Sequence, residues 1–213
     1  MRLHSFTFNG FQENTYIVSG ESGSCVIIDP GCYDRHEQLE LLNFITENKL
    51  TVKAVWNTHC HLDHILGNAF CCETFGVPLA AHKEELFTLS LAERSAMMYG
   101  FAGYVPSPEP TIWFEDHQQI TLDDLSFSVI FGPGHCVGHI AFYNEAHKML
   151  IGGDILFRGS FGRTDLPGGD MEVLKKTIHE RMFTLPEDTV VYPGHGPATT
   201  IGEEKRTNYI LEF

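Results

Sequence analysis

Asn57-Thr58-His59-Cys60-His61-Leu62-Asp63-His64 is the stretch on which the reading of this chain turns. It follows a short β-rich run, residues 52–56, and precedes a helical-looking run, residues 65–75. In an extended loop, residues i and i+2 can turn their side chains toward one point, so His59-x-His61 offers two imidazoles to a single ion. Asp63-His64 adds a hard oxygen and a further nitrogen in the next turn. With 12 histidines in the chain, scattered polar residues are the bland alternative. Imidazoles and carboxylates crowded into an apolar-flanked turn are costly to bury without a partner, and the block reads as a metal site.

The arrangement recurs outward from this block. Residues 125–131 run as a strand into Gly132-Pro133-Gly134-His135, Met149-Leu150-Ile151 into Gly152-Gly153-Asp154, and Val190-Val191-Tyr192 into Pro193-Gly194-His195-Gly196. Ligand groups on loops at strand ends converge at one sheet edge, and the strands fix their positions. His135, Asp154 and His195 bring the candidate ligands to seven, enough for two ions that share a bridging carboxylate. His139 follows the same turn as His135 and reads as a supporting or core residue. His4, His36, His82, His117, His147 and His179 read as surface or packing residues, and Cys60 and Cys136 as small buried fillers beside ligands.

The remaining pattern is mixed α/β. Residues 1–8 alternate as a strand, Val26-Ile27-Ile28 is a buried strand ending in the Asp29-Pro30-Gly31 turn, and residues 34–48 and 171–184 fit helices. Strands and helices in both halves predict two packed sheets with helices outside, in a single domain over residues 1–213. Residues 97–104, 106–110 and 113–114 are the least regular part. They fit a lid over an apolar pocket or ordinary core or subunit packing, and packing is favoured because aromatic clusters usually pack.

Composition narrows the function. A hydrophobic share of 43% argues for a folded core and against disorder. A net charge of -14 repels phosphate backbones and anionic lipid, so nucleic acid and membrane are poor partners and a small molecule is the expected one. No apolar run approaches the roughly 18 residues of a membrane span, and the N-terminus carries no signal-peptide pattern. Six cysteines without a C-x-x-C pair make a poor disulfide framework, which points to reduced thiols in a cytoplasm. Composition leaves the oligomeric state open.

Thr58-His59-Cys60-His61-Leu62-Asp63-His64 resembles the T-H-x-H-x-D-H signature of the metallo-β-lactamase superfamily, and Gly134-His135, Gly153-Asp154 and Gly194-His195-Gly196 resemble its later ligand motifs in order. Asn14-Thr15-Tyr16, Ile28-Asp29-Pro30-Gly31, the Gly162-Arg163-Thr164-Asp165 segment through Asp170, and Thr200-Ile201-Gly202-Glu203-Glu204-Lys205 are similar to the glyoxalase II-like hydrolases of that superfamily. The resemblance implies an αββα sandwich, a four-layer α/β fold. It implies one metal on His59, His61 and His135, a second on Asp63, His64 and His195, and Asp154 bridging, with Asp63 and Asp154 catalytic as well as ligating. Zinc is the expected metal, with iron and manganese as alternatives. The implied reaction is hydrolysis of S-2-hydroxyacylglutathione or a related thioester by a metal-bridging hydroxide, since bound water can reach a pKa of about 7 and a thiolate leaves readily.

The match departs at one place. Full-length glyoxalase II enzymes carry a C-terminal helical region that binds glutathione, and only residues 196–213 follow His195 here, so that region is expected to be missing. Carboxylates on a substrate want Arg or Lys partners. Arg158, Arg163, Lys205 and Arg206 are available; Arg163 is the best placed, either as a substrate contact or as an organiser of its own loop. The ligand set also serves an iron-dependent persulfide dioxygenase-like branch and lactonases. A β-lactamase is less expected because Asp154 stands where those enzymes carry another ligand, and a non-catalytic binding module is least expected because all seven ligands are present.

Overall fold

Runs of buried Val and Ile build the first sheet. Strands β1 (Arg2–Phe8), β2 (Glu13–Ser19), β3 (Ser24–Ile28), β4 (Thr51–Trp56), β5 (Leu79–His82) and β6 (Ile112–Phe114) lie in that order, β1–β2–β3 antiparallel and β3 to β6 parallel. β2 and β3 are buried at every position, which explains why they do not alternate in polarity. Each parallel step needs a crossover. Helix α1 (Arg35–Glu47) supplies the first, α2 (Leu62–Ile65) and α3 (Asn68–Phe75) the second, and α4 (Glu85–Ser90) and α5 (Ala92–Tyr99) the third. Asp34 caps α1, its side chain accepting from the His36 and Glu37 N–H groups while Glu37 closes the capping box.

The computed structural model describes all 213 residues, which fall into two compact units: Met1–Phe114 with Thr121–Leu125, and Glu115–Ile120 with Ser126–Phe213. The first has its own core, including Phe8, Ile17, Ile27, Leu41, Val55 and Leu79. The second holds most of another sheet, in which β7 (Gln119–Leu122), β8 (Leu125–Phe131), β9 (Ile140–Asn144), β10 (Met149–Gly153), β13 (Val190–Pro193) and β14 (Thr199–Thr200) lie in the order β14-β13-β10-β9-β8-β7. A small hairpin, β11 (Leu156–Phe157) with β12 (Ser160–Phe161), follows β10. Helices α6 (Met171–Thr177) and α7 (Ile201–Thr207) complete this unit, whose core includes Leu150, Ile155, Leu174, Ile178, Val191 and Ile201.

This topology decides where the loops open. The turns holding Asp29, His59–His64 and Glu85 all leave the carboxyl ends of the parallel strands β3, β4 and β5. In the second sheet β9 runs antiparallel to both β8 and β10, and β13 runs parallel to β10. β8, β10 and β13 therefore point the same way, and His135, Asp154 and His195 leave the same end.

Three expectations shift. The helix expected over residues 65–75 is two helices, because Gly67 breaks it: its N–H donates to the Pro30 carbonyl at 2.7 Å, and a Cβ there would stand 2.5 Å from Cys32 Sγ. The helix expected over 171–184 is α6 followed by a π-helical turn, Ile178–Met182. Residues 97–99, expected to be irregular, end α5, which Gly100 stops in the left-handed conformation at φ 79°. Beyond it Tyr104 packs with Cys60, Ile65 and Ala81, whereas Met97 and Met98 are 78% and 66% exposed. No helix is long and apolar enough to cross a membrane.

Candidate metal centre

β4 delivers its backbone directly into the loop that carries His59 and His61, and α2 turns Asp63 and His64 back against it. His59 and His64 are fully buried, while His61 and Asp63 are partly exposed. The rings of His59 and His61 lie 4.9 Å apart and those of His59 and His64 4.1 Å apart. Asp29, at the end of β3, organises the loop. Its Oδ1 accepts the Thr58 N–H at 2.7 Å, its Oδ2 accepts the Thr58 hydroxyl at 2.6 Å, and Oδ2 lies 3.2 Å from His64 Nδ1. A proton on Nδ1 facing that carboxylate leaves Nε2 as the lone-pair nitrogen, the arrangement of a metal-ligating histidine. Asn57 Nδ2 donates to the His64 carbonyl at 3.1 Å, and Asn9 Nδ2 to the carbonyls of Gly31 and Asp63 at 3.0 Å.

The second unit repeats the device. His135 Nδ1 lies 2.7 Å from the Arg163 carbonyl, which can only accept, so Nδ1 carries a proton and Nε2 is the nitrogen left to ligate. His139 is fully buried, and its Nε2 accepts the Asp154 N–H at 2.9 Å. That contact sets His139 against the Asp154 backbone. Gly162 passes so close beneath that a Cβ would stand 2.0 Å from the Asp154 carbonyl oxygen and 2.9 Å from His135 Nδ1.

Donor spacing tests whether these groups suit a cation. Two ligand atoms each about 2.0–2.1 Å from a tetrahedral ion stand roughly 3.4 Å apart, whereas a charge-assisted hydrogen bond closes to about 2.7–2.9 Å. Asp154 Oδ2 is 3.5 Å from His135 Nε2 and 3.5 Å from His195 Nε2, and His64 Nε2 is 3.6 Å from Asp63 Oδ2. Buried Asp29, His59 and His64 also bring one ligand atom each within 4.8 Å of one another. Imidazole with carboxylate is a donor set that zinc, iron and manganese accept. The residues fit divalent metal.

A model of the metallo-β-lactamase superfamily matches residues 8–195. The chain belongs to the metallo-β-lactamase superfamily. Its mixed α/β architecture with two multi-strand sheets is the metallo-β-lactamase fold, and membership supports an enzyme with metal sites. Hydroxyacylglutathione hydrolase GloC of Haemophilus influenzae is 33% identical, over 99% of this chain and 98% of its own. Among solved structures, BLEG-1 B3 metallo-β-lactamase is 32% identical with a TM-score of 0.89 over the whole of both chains. TTHA1623 in a di-iron-bound form is 38% identical with a TM-score of 0.85, over 97% of this chain and 98% of that one.

Against this metallo-β-lactamase framework, the cations and thiols can be placed. Arg163 holds Asp165 in a two-pronged pair, Nε to Oδ1 at 2.6 Å and Nη2 to Oδ2 at 2.7 Å, which keeps the Asp165 carboxyl down at about 2. Lys205 pairs with Glu187 and Arg206 with Glu203. All six cysteines are free thiols; burial pushes the Cys60 thiol well up, as suits a filler. Sequence reasoning missed the buried carboxyls behind the loop. Glu13, at the start of β2, is fully buried with its Oε1 3.9 Å from His64 Nδ1, and burial above all raises its pKa well above the usual range. Its only signal was an acidic residue shortly before the apolar Tyr16-Ile17-Val18 run.

Proposed function

We propose that this chain is a binuclear metal-dependent thioester hydrolase acting on S-2-hydroxyacylglutathione or a related small thioester. The observation that carries the reading is the set of imidazole–carboxylate spacings at 3.5–3.6 Å, wider than hydrogen bonds and matched to shared ligation. The family's motif order supports His59, His61 and His135 for one ion, Asp63, His64 and His195 for the other, and Asp154 for both. Bound there, zinc would supply an activated water and polarise the thioester carbonyl. A relative with a di-iron form makes iron the alternative to zinc.

The chain's own residues do the rest. Asp29 and the Arg163 carbonyl hold His64 and His135 in the tautomers that leave Nε2 available, and His139 fixes the Asp154 backbone. Asp63 and Asp154 are the carboxylates of the proposed ligand set and are our candidates to hold the nucleophile's proton. Arg163, exposed and braced by Asp165, is our candidate for the anionic end of the substrate. The named activity of the Haemophilus relative, matched over 98% of its length, supports the thioester class. We read residues 1–213 as one functional domain, since the family model runs unbroken across both units. Six free thiols favour a cytoplasmic setting.

The test is anaerobic hydrolysis of S-D-lactoylglutathione by metal-analysed protein, beside His59→Ala and Arg163→Ala. We expect turnover that His59→Ala abolishes, and a KM raised roughly tenfold by Arg163→Ala, the loss of about 1.4 kcal/mol. No turnover by protein holding two metals sinks the assignment. The same preparation assayed on a cephalosporin decides the second reading, β-lactam hydrolysis, which a 32%-identical relative named as a B3 metallo-β-lactamase supports.

A further inference from the structure

One more buried carboxylate touches the ligand loop, from an element that carries no ligand. Glu85 opens α4, is 1% exposed, and accepts the Cys60 N–H on Oε2 at 2.6 Å. Cys60 stands between the two imidazoles of the loop. Along extended backbone, alternate side chains face opposite ways. His59 and His61 stay close, with ring centroids 4.9 Å apart, while the Cys60 side chain enters the apolar cluster of Ile65, Ala81, Ala92, Leu89 and Tyr104. The peptide joining the imidazoles is thus held on its far side twice, by packing of the thiol and by the Glu85 carboxylate. Asp29 grips the same loop one residue before His59, through the Thr58 N–H. Between them the two carboxylates fix the backbone on either side of His59.

We propose that Glu85 is a positioning residue for the metal centre: by holding the Cys60 N–H it sets the angle at which His59 and His61 meet one ion. This rests on the metal-hydrolase reading above. The role depends on a strong acceptor at Oε2. An amide oxygen in the same place keeps the shape and weakens the bond.

The experiment compares the full-length wild type with Glu85→Gln, and with Glu84→Gln on the exposed neighbouring residue as control. Zinc affinity is read by competition with a chromophoric chelator, the cobalt-substituted protein by its visible absorption, and the metal-free proteins by thermal unfolding. We expect Glu85→Gln to keep its metal-free Tm within about 2 °C, bind zinc roughly tenfold or more weakly, and shift the cobalt bands, as loss of a support behind a ligand does. Glu84→Gln should match the wild type. Wild-type zinc affinity and cobalt spectrum in Glu85→Gln overturn the proposal. So does a large fall in its metal-free Tm, which makes Glu85 a support of the fold alone. Failure of the wild type to bind zinc is a separate result, and it removes the metal reading itself.

Discussion

Thr15 shows how a single hydroxyl constrains the buried Glu13 carboxyl. Its hydroxyl accepts the Gly31 N–H at 2.8 Å, and lies 2.9 Å from both the Asp29 carbonyl and Glu13 Oε2. A hydroxyl has one proton, and a carbonyl can only accept. If Thr15 donates to the Asp29 carbonyl, the Glu13 contact needs its proton from Glu13, which agrees with a carboxyl that burial pushes well up. A neutral amide should therefore replace it. Glu13→Gln is expected to fold normally, and Glu13→Ala to lose about 1–3 kcal/mol in urea unfolding. The sign of the pH effect follows: with the folded pKa raised, the stability from protonated Glu13 is fully present below the unfolded pKa of roughly 4.3 and lost as pH rises. As pH rises from the unfolded value toward the raised folded one, the Gln variant should gain on the wild type. A Gln variant as unstable as the Ala one would show that the buried group is charged. The His59-x-His61 pair was readable because its geometry is local; Glu13 was not, because its meaning depends on His64, which only the folded chain brings to it.

The small β11–β12 hairpin works at the scale of elements. β11–β12 carries the chain back so that Gly162 lies against Asp154 and the Arg163 carbonyl meets His135. The limit here is space, since backbone oxygen occupies the place of a Cβ. Gly162→Ala should displace the segment, costing about 1–3 kcal/mol of stability and, on the proposed ligand set, weakening zinc binding through His135 and Asp154. Unfolding together with zinc content after dialysis would read both, and unchanged values in the two would refute the account. The same logic broke the helix expected after Ile65: apolar spacing continued through Gly67, while its contact with the segment at Pro30 and Cys32 came from elsewhere in the chain. Strands fared better. Buried runs at 26–28 and 149–151 were readable from composition, because a strand covered on both faces needs no partner-specific pattern.

For the molecule as a whole, charge and metal act together. At a net charge of -14, the two divalent ions of the proposed reading would offset four negative charges. An ion that binds only the folded chain adds RT ln(1 + [L]/Kd), about 2.7 kcal/mol at a hundredfold excess over Kd. For a chain of this size that is roughly 5–10 °C in Tm. Stripping the protein with a chelator should lower Tm by about that amount, and zinc should restore it, followed by calorimetry. An unchanged Tm would speak against ligation by buried His59 and His64.

Residue order alone carried what is local: the strand and helix periods, the turns marked by Gly and Pro, and the imidazole and carboxylate types at ligand spacing. These were enough for the fold class and the candidate ligands, because burial and turn geometry are written into neighbouring positions. Tertiary structure decided which groups stand behind which candidate ligand. Asp29 reaches His64 across 35 residues, Glu85 reaches Cys60 across 25, and Arg163 reaches His135 across 28. No short-range pattern encodes those pairs, since strand order and the space between packed side chains set them, and both exist only once the chain is compact.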